Sequence, residues 1–590
     1  MLLLSSMKRL TLLFLLILII PIVESRTGEM KLLAVSQTPF GLQGNLANLQ
    51  LTIKPGSGRV FIDSFPLTKV DTQISTRFAK EVACNYLNLD CSNIDFFYVI
   101  RARSSIVGGP SAGAALSVLT IGLLKGWSIK EGVAITGTIN SGGFIGPVGG
   151  LKEKVKAASE GGIKVVLVPR GSIYLNASNA TTFNITEYGK ELGVRVVEVS
   201  HLDEALPYFY SKAPQKTQHE LDIDPIYSNT MRRLASLLCN RTKKLMEVAI
   251  ETGINESSLE DARNLTKEAS LALSQDQIYS GASFCFGANA KLSQLIAWKS
   301  MNQSQLAFEL TRLKAEMLNF KSQLPEYHTL TDLETYTVVI ERLTEALEYV
   351  NKSFDALFGE RFKEASFHYG YARERFYSAQ SWAQFFGTST LNQDFEVSKM
   401  EKSCLQKISE ADERIDYLKF YIPPLFLTGL EDDLKKAISY YDNGDYELCL
   451  FKASKVKAQA NSVLISMGSN KESIREVLEH MLVYIRSNLA EQTARRHFPI
   501  VGYSYFEYSN SLKDTQIASA LLYAEFALEL SNLDMYFPDY RAKRIAIYDT
   551  RMISVLCIGI LIGIVLGYAI TRISIKTHSG ARGTRSGKKR

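Results

Sequence analysis

Between residues 30 and about 205 the chain alternates short apolar runs with amphipathic stretches, a pattern of strands and helices taken in turn. Leu46 to Lys54 and Phe96 to Arg101 predict strands, while Asp71 to Leu87 has helical periodicity, with Phe78, Val82 and Leu87 among its apolar positions. Ser111 to Leu124, rich in Ala and Leu and closed by Gly126, predicts a buried helix. Gly132 to Ile139 is a short β-rich run, Lys152 to Glu160 a helix and Lys164 to Val168 a buried strand. The α/β unit so defined spans about 175 residues, an ordinary size for one domain. A Ser/Thr/Asn-rich stretch, Ser172 to Thr186, predicts a solvated loop within it.

From Pro214 to Asn229 the pattern relaxes, which predicts a polar linker over 206–229. Beyond it, over 230–545, the signal is almost wholly helical. Leu310, Leu313, Met317, Phe320 and Leu324 step by three and four, as do Leu343, Leu347, Val350, Phe354 and Leu357, so each helix carries one stripe of bundle-core residues. Phe358 to Ala365 and Asn443 to Cys449 both set a Gly and an acid ahead of an aromatic and a small residue, a helical-hairpin signature of tetratricopeptide type. Their spacing is too irregular for an array. A helical bundle or tetratricopeptide-like region is therefore expected.

Two apolar stretches change the picture. Lys8 and Arg9 precede Leu10 to Val23, so residues 1–25 predict a signal peptide or signal anchor. Met552 to Ile570 is free of charge, close to the length a membrane-spanning helix needs, and predicts a transmembrane helix over 552–571. The tail 572–590 carries seven Lys and Arg and no acid, which sets it in the cytoplasm and the bulk of the chain outside. The net charge of +6 divides accordingly. Residues 1–25 hold +1, Arg551 +1 and the tail +7, leaving −3 on residues 26–550. The basic balance thus concerns membrane orientation, and no aromatic-basic stripe or motif points to nucleic acid. Six of the seven cysteines lie in the external part, an even number in a compartment that permits disulfides. Cys84 and Cys91 are near enough in sequence to close a small loop, with buried free thiols as the alternative. Eight Asn-x-Ser/Thr sequons, all external, are consistent with glycosylation.

Candidate chemistry concentrates between Gly108 and Lys154. Gly108-Gly-Pro-Ser-Ala-Gly113 opens the Ala/Leu-rich helix, which places Ser111 where unpaired amides and the positive helix end can hold negative charge. Ser111 reads either as an N-cap or as a nucleophile on a glycine-lined turn. It is not on a G-x-S-x-G elbow, because Pro110 directly precedes it. No histidine precedes His201, which reads as a surface or capping residue, so a Ser-His-Asp triad is disfavoured. The other solution is a buried, neutral lysine as base, for which Lys154 in Gly149-Gly-Leu-Lys-Glu-Lys154 is the candidate. No cysteine or histidine cluster has metal spacing, and no cofactor is implied.

Three blocks, Gly109-Pro-Ser-Ala-Gly113, Val133-Ala-Ile-Thr-Gly137 and Pro147-Val-Gly-Gly-Leu-Lys-Glu-Lys154, resemble in order the proteolytic domain of Lon-type peptidases. The 43 positions from Ser111 to Lys154 match the family spacing without a gap, and Ala157 to Pro169 resembles the helix and strand that follow. The resemblance implies an α/β Lon-like fold in which Ser111 is the nucleophile, Lys154 the general base and Thr136 orients the lysine. Backbone groups around Gly109, Pro110 and Ala112 would form the oxyanion site. Lys152 is a decoy, about 200° away around the helix from Lys154. The chain departs from the family where acidic or basic residues are usual, at Gly108, Thr138 and Gly142. It also contains no G-x-x-x-x-G-K-[S/T] phosphate loop.

The reading implied is a membrane-anchored serine endopeptidase without its own ATP hydrolysis, resembling archaeal Lon-like proteins, acting on peptides or unfolded proteins. The resemblance further implies a ring, often sixfold, and Gly559, Gly563 and Gly567 lie on one face of the anchor, where helices pack closely. The alternative is a surface adaptor in which the protease fold is a non-catalytic platform and the helices bind other proteins.

Overall fold

The structure, a computed structural model, describes residues 25–570 except 40, 103–108, 173, 177–181, 214–219, 389–396, 468–469, 496, 538–542 and 545–557. The first 24 residues, which hold the expected signal, lie outside it, as does the basic tail. Of the expected transmembrane segment only 558–570 is described, and it is helical. Among the described residues no helix is long and apolar enough to cross a membrane.

The α/β unit begins at residue 26, four positions earlier than the sequence pattern suggests. β1 (Arg26–Thr38) and β2 (Gly41–Pro55) form a long antiparallel pair, continued by β5 (Ile94–Ala102) and, parallel to it, β3 (Val60–Phe65), in the order β1-β2-β5-β3. Alternation drives this sheet: Phe96, Tyr98 and Ile100 of β5 point into the core, and Phe97 and Val99 away from it. Against it pack α1 (Val70–Tyr86) and α2 (Gly113–Lys125). α2 is buried on every side from Gly113 to Leu124, as its uniformly apolar composition requires, and Gly126 ends it in the left-handed conformation at φ 67°.

A second sheet, all parallel, has the order β12-β9-β6, built from β6 (Val133–Ile135), β9 (Val165–Pro169) and β12 (Arg195–Val199). Between β6 and β9 lie the small antiparallel pair β7 (Thr138–Ile139) and β8 (Ile145–Gly146) and the helix α3 (Leu151–Glu160). The stretch expected as a loop, 172–186, instead contains paired strands, Tyr174–Asn176 and Thr182–Asn184, and the start of α4 (Ile185–Glu191). The sequon asparagine Asn184 caps α4, accepting from the amides of Thr186 and Glu187. Asn255 and Asn302 also cap helices, so three of the eight sequon asparagines have a local structural use.

The expected linker is shorter than the pattern suggests. α5 (Leu202–Phe209) closes the α/β unit, and Asp224 caps α6 (Pro225–Glu251), so the helical region starts at 225 rather than 230. Helices follow one another to α17 (Ile517–Leu530). The two hairpin-like segments fall at matching turns. One joins α10 (Leu330–Phe358) to α11 (Phe362–Trp382) with Glu360 at φ 60°, and the other joins α13 (Thr428–Asp442) to α14 (Tyr446–Ser466) with Gly444 at φ 79°. The six cysteines of residues 26–550 are paired, as Cys84–Cys91, Cys239–Cys285 and Cys404–Cys449, which excludes the free-thiol alternative.

The helical region is not tethered loosely. α12 (Met400–Leu418) and α17 lie directly on the α/β unit, and one apolar core runs from Phe96 and Leu116 through Phe144 to Leu528 and Tyr536. Polar contacts reinforce it. Ser75 Oγ donates to Glu413, Ser141 Oγ donates to Glu529 at 2.8 Å, and the Arg414 guanidinium reaches the Ile139 carbonyl and Asn140 Oδ1.

Candidate active site

Ser111 sits in a single 3-10 turn, Pro110–Ala112, that leads into α2. The turn is set up by Gly109, whose φ of 101° a side-chain-bearing residue would adopt only under strain. No side chain caps this turn or α2, so the N-cap alternative for Ser111 fails. Among the described residues the Ser111 hydroxyl makes no hydrogen bond, and the residue is partly exposed.

Lys154 lies on the inner face of α3, whose start Gly150 permits with φ 67°. It is 1 % exposed, and burial pushes its amine down to about 7, only partly opposed by the negative charge of Glu153. An amine with that affinity for protons is neutral in an appreciable fraction of molecules near pH 7. Thr136, fully buried beyond the end of β6, stands between the two. Its Oγ1 accepts from Lys154 Nζ at 3.0 Å and donates to the Ser111 carbonyl at 3.4 Å. The Gly137 amide donates to the same carbonyl at 3.0 Å, and Ala114 donates back to the Gly137 carbonyl. The nucleophile turn is thus stitched to the β6–β7 connection. Lys152 points elsewhere, its amine 5.0 Å from the centre of the Phe183 ring.

Two groups invisible to sequence reasoning complete the surroundings. Asp71, in the first turn of α1, accepts from the Gly109 amide through Oδ2 at 2.9 Å. This commits the Gly109 amide, and Pro110 has no N–H to give, so neither of these two positions expected around an oxyanion offers a free amide. The second is Tyr417, at the end of α12, whose hydroxyl accepts from the Gly149 amide at 3.0 Å. A methyl group added at Gly109 would lie 4.0 Å from the Tyr417 ring, so this side chain bridges the serine and lysine turns. Asp71 had a weak signal as a helix-start acid, and Tyr417 had none.

His201 caps α5 as expected, accepting at Nδ1 from the Asp203 amide, but it is buried rather than on the surface, its Nε2–H given to the Gly142 carbonyl at 2.7 Å. The departure at Gly142 has a structural reason. Its φ is 67°, and a Cβ there would meet Asn532 Nδ2 at 3.1 Å, so the helical region occupies the space a charged side chain would need. Thr138 is likewise buried. Gly108 lies outside the described residues. No group of side chains able to hold a metal occurs among the described residues.

Removing the Asp71 carboxylate deprives the Gly109 amide of a charged acceptor, a loss of roughly 1.5–3 kcal/mol where the group stays dry. Asp71→Ala is expected to lower kcat on a short peptide by about tenfold with little change in KM, and Asp71→Asn, which keeps an acceptor oxygen, by less. Steady-state kinetics of both variants check this.

A weakly basic buried amine joined through a threonine to the backbone of an unbonded serine defines a class, the hydrolase domains that pair an alcohol nucleophile with an amine base. The comparisons agree with that class. Residues 103–207 match the pattern of the Lon protease (S16) C-terminal proteolytic domain. The chain is 37% identical over 137 residues to the Lon protease of Paraburkholderia phytofirmans, covering 22% of this chain and 17% of that one. It is 31% identical over 209 residues to the Lon protease of Neorickettsia sennetsu (34% and 23%) and 32% identical over 136 residues to that of Methanosarcina barkeri (22% and 17%). The unit that opens this chain is therefore a Lon-type serine peptidase domain. The chain spans less than a quarter of the length of these relatives.

Proposed function

We propose that the protein is a serine endopeptidase that hydrolyses peptides or unfolded proteins with a Ser111–Lys154 dyad. Neutral Lys154 takes the proton of Ser111 Oγ as that oxygen attacks the scissile carbonyl carbon. The protonated amine then returns the proton to the leaving nitrogen, and water hydrolyses the acyl-enzyme by the same route. Thr136 holds the amine, and the Ala112 amide stabilises the oxyanion at the start of α2. The observation that carries this reading is the fully buried Lys154 with its amine at about 7 and bonded to Thr136. Among the described residues no carboxylate forms an ion pair with the Lys154 amine, so burying it is costly unless its neutral form has a use.

The finer parts of the proposal rest on the sequence. The charge-free run 552–570 and the basic tail support a membrane anchor with the bulk of the chain outside. The chain carries no phosphate-loop motif, which supports cleavage independent of nucleotide. The resemblance of the sequence blocks to Lon-type peptidases implies assembly of several copies, in a ring.

Incubation of the full chain with an unfolded protein, with and without ATP, beside Ser111→Ala and Lys154→Ala, tests the reading. Cleavage by the wild type alone, at the same rate without ATP, is the expected result. Equal cleavage by all three proteins removes the dyad, and no cleavage by any of them moves the weight to a non-catalytic adaptor.

A further inference from the structure

Two loops, one from each unit, carry large apolar side chains into solvent beside the site. Around the connection from β3 to α1, Phe65 at the end of β3, Leu67 on the loop and Val70 at the start of α1 are 71, 78 and 69% exposed. On the loop from α12 to α13, Phe420, Leu425 and Phe426 are 61, 77 and 76% exposed. The loops are side by side, because the Lys69 amine lies 5.0 Å from the centre of the Phe420 ring. Each such side chain left in water forgoes about 1.5–3 kcal/mol of burial, and a contiguous apolar patch of this kind on a folded protein marks a surface with a partner.

Both loops are continuous with the site. Val70 is followed by Asp71, whose carboxylate holds the Gly109 amide two residues from Ser111. Phe420 follows by three residues Tyr417, whose hydroxyl holds the Gly149 amide at the start of the lysine helix. Tyr421, the residue after Phe420, donates to the Tyr417 hydroxyl at 3.2 Å and closes against Gly149. One end of the patch is therefore fastened to the serine turn and the other to the lysine turn.

We propose that these two loops form a composite docking surface for an apolar segment of the polypeptide being cleaved, so that the helical region supplies half of the substrate specificity. The inference rests on the peptidase reading for the location of the cleft. A bilayer is the less fitting occupant. The patch lies at the N-terminal end of α1, whereas β13 (Lys543–Arg544), the last strand before the charge-free segment, pairs with β4 (Leu89–Asp90) just beyond the C-terminal end of α1. Seventeen helical residues separate those ends by about 25 Å. The last described residues before the charge-free segment thus lie at the opposite end of α1 from the patch.

The test measures binding to the full Ser111→Ala chain in phosphatidylcholine nanodiscs, by fluorescence anisotropy, with empty discs as the blank. Two labelled peptides share a core and differ in a flank of Leu, Val and Phe or of Ser and Gln. The apolar flank is expected to bind about tenfold more tightly, and that preference to vanish in both Phe65→Ser/Leu67→Ser and Phe420→Ser/Phe426→Ser. Equal binding of the two peptides, or a preference surviving in either double variant, overturns the proposal. So does a change of oligomer mass in the double variants without loss of the preference, which assigns the patch to a second copy. Quenching of a Phe420→Trp variant by brominated lipid before any peptide is added overturns it in favour of the membrane. Turnover plays no part in these readouts, so failure of the dyad and failure of the surface are seen separately.

Discussion

Lys154→Met is expected to abolish hydrolysis and at the same time to make the protein harder to unfold. The two effects have one cause. Burial holds the Lys154 amine at about 7 against 10.5 for a solvated lysine, so between those values the folded chain has released a proton that the unfolded chain still binds. Stability of the wild type therefore rises with pH across that window, and below it the folded state carries the full cost of the buried charge. A thioether of similar length has no such cost. At pH 7 the gain is expected to be about 2–4 kcal/mol, part of the shift being offset by the lost bond to Thr136, and it shrinks toward zero as pH approaches 10. Urea midpoints of the two proteins at pH 7 and 9.5 measure it, and a Met variant less stable than wild type at pH 7 refutes the neutral-amine argument. In parallel the rate of peptide cleavage by the wild type is expected to rise with pH through a midpoint near 7, where the amine becomes free to accept a proton. The Met variant should lose at least about a thousandfold in kcat.

The second large effect lies at the junction of the two units. Lys407 and Lys457 face Glu410 and Glu529 in a four-charge cluster that is 0–3% exposed, with bonds of 2.8–3.1 Å along each of its sides. Tyr536 donates to Glu410, and Ser141 of the peptidase domain donates to Glu529. Burial alone would push the Glu529 carboxyl up, but Lys407 and Lys457 hold it down at about 2. Glu529→Leu leaves two buried ammonium groups facing one carboxylate and strips Ser141 of its acceptor. Its expected cost is about 3–5 kcal/mol, the range found when one partner of a buried pair is removed. Lys457→Met together with Glu529→Leu leaves the Lys407–Glu410 pair balanced and is expected to recover most of that loss. Urea denaturation followed by tryptophan fluorescence compares the three proteins. A Glu529→Leu midpoint equal to wild type means that the cluster does not secure the junction.

The parts of the site that lie within continuous motifs were legible from the chain. Ser111, Thr136 and Lys154 each belong to a local block whose spacing carried the family pattern, and their mutual placement follows from a strand and two helices of ordinary periodicity. Asp71 and Tyr417 were not legible. They reach Gly109 and Gly149 across 38 and 268 positions, and nothing in an acid at a helix start or a tyrosine at a helix end names a partner so distant. β1 escaped because it is an edge strand whose first half, with Thr27, Glu29 and Lys31 facing solvent, is mostly polar, which leaves only the short apolar run Leu32 to Val35. The strands within 172–186 escaped because each is three residues long in a stretch rich in Ser, Thr and Asn. The pairings Cys239–Cys285 and Cys404–Cys449 link helices 46 and 45 positions apart across an intervening helix, where no sequence rule fixes connectivity. Gly142 shows the reverse. What the sequence presents as a departure from the family is the imprint of Asn532, nearly four hundred residues later.

The apolar core that runs unbroken from the sheet into α12 and α17 has a further consequence, for how this chain can be divided. The peptidase domain is matched on its own by the family pattern, over residues 103–207, yet here it is not a separate unit of folding. An excision near residue 220 would uncover the surfaces on which Leu528, Tyr536 and the Glu529 carboxylate now rest, leaving Ser141 and the buried face of α1 to water. The isolated fragment would be a sticky, partly ordered chain instead of a small protease. Changes to the Ser111 and Lys154 turns and to the helices that cover them must therefore be accommodated together.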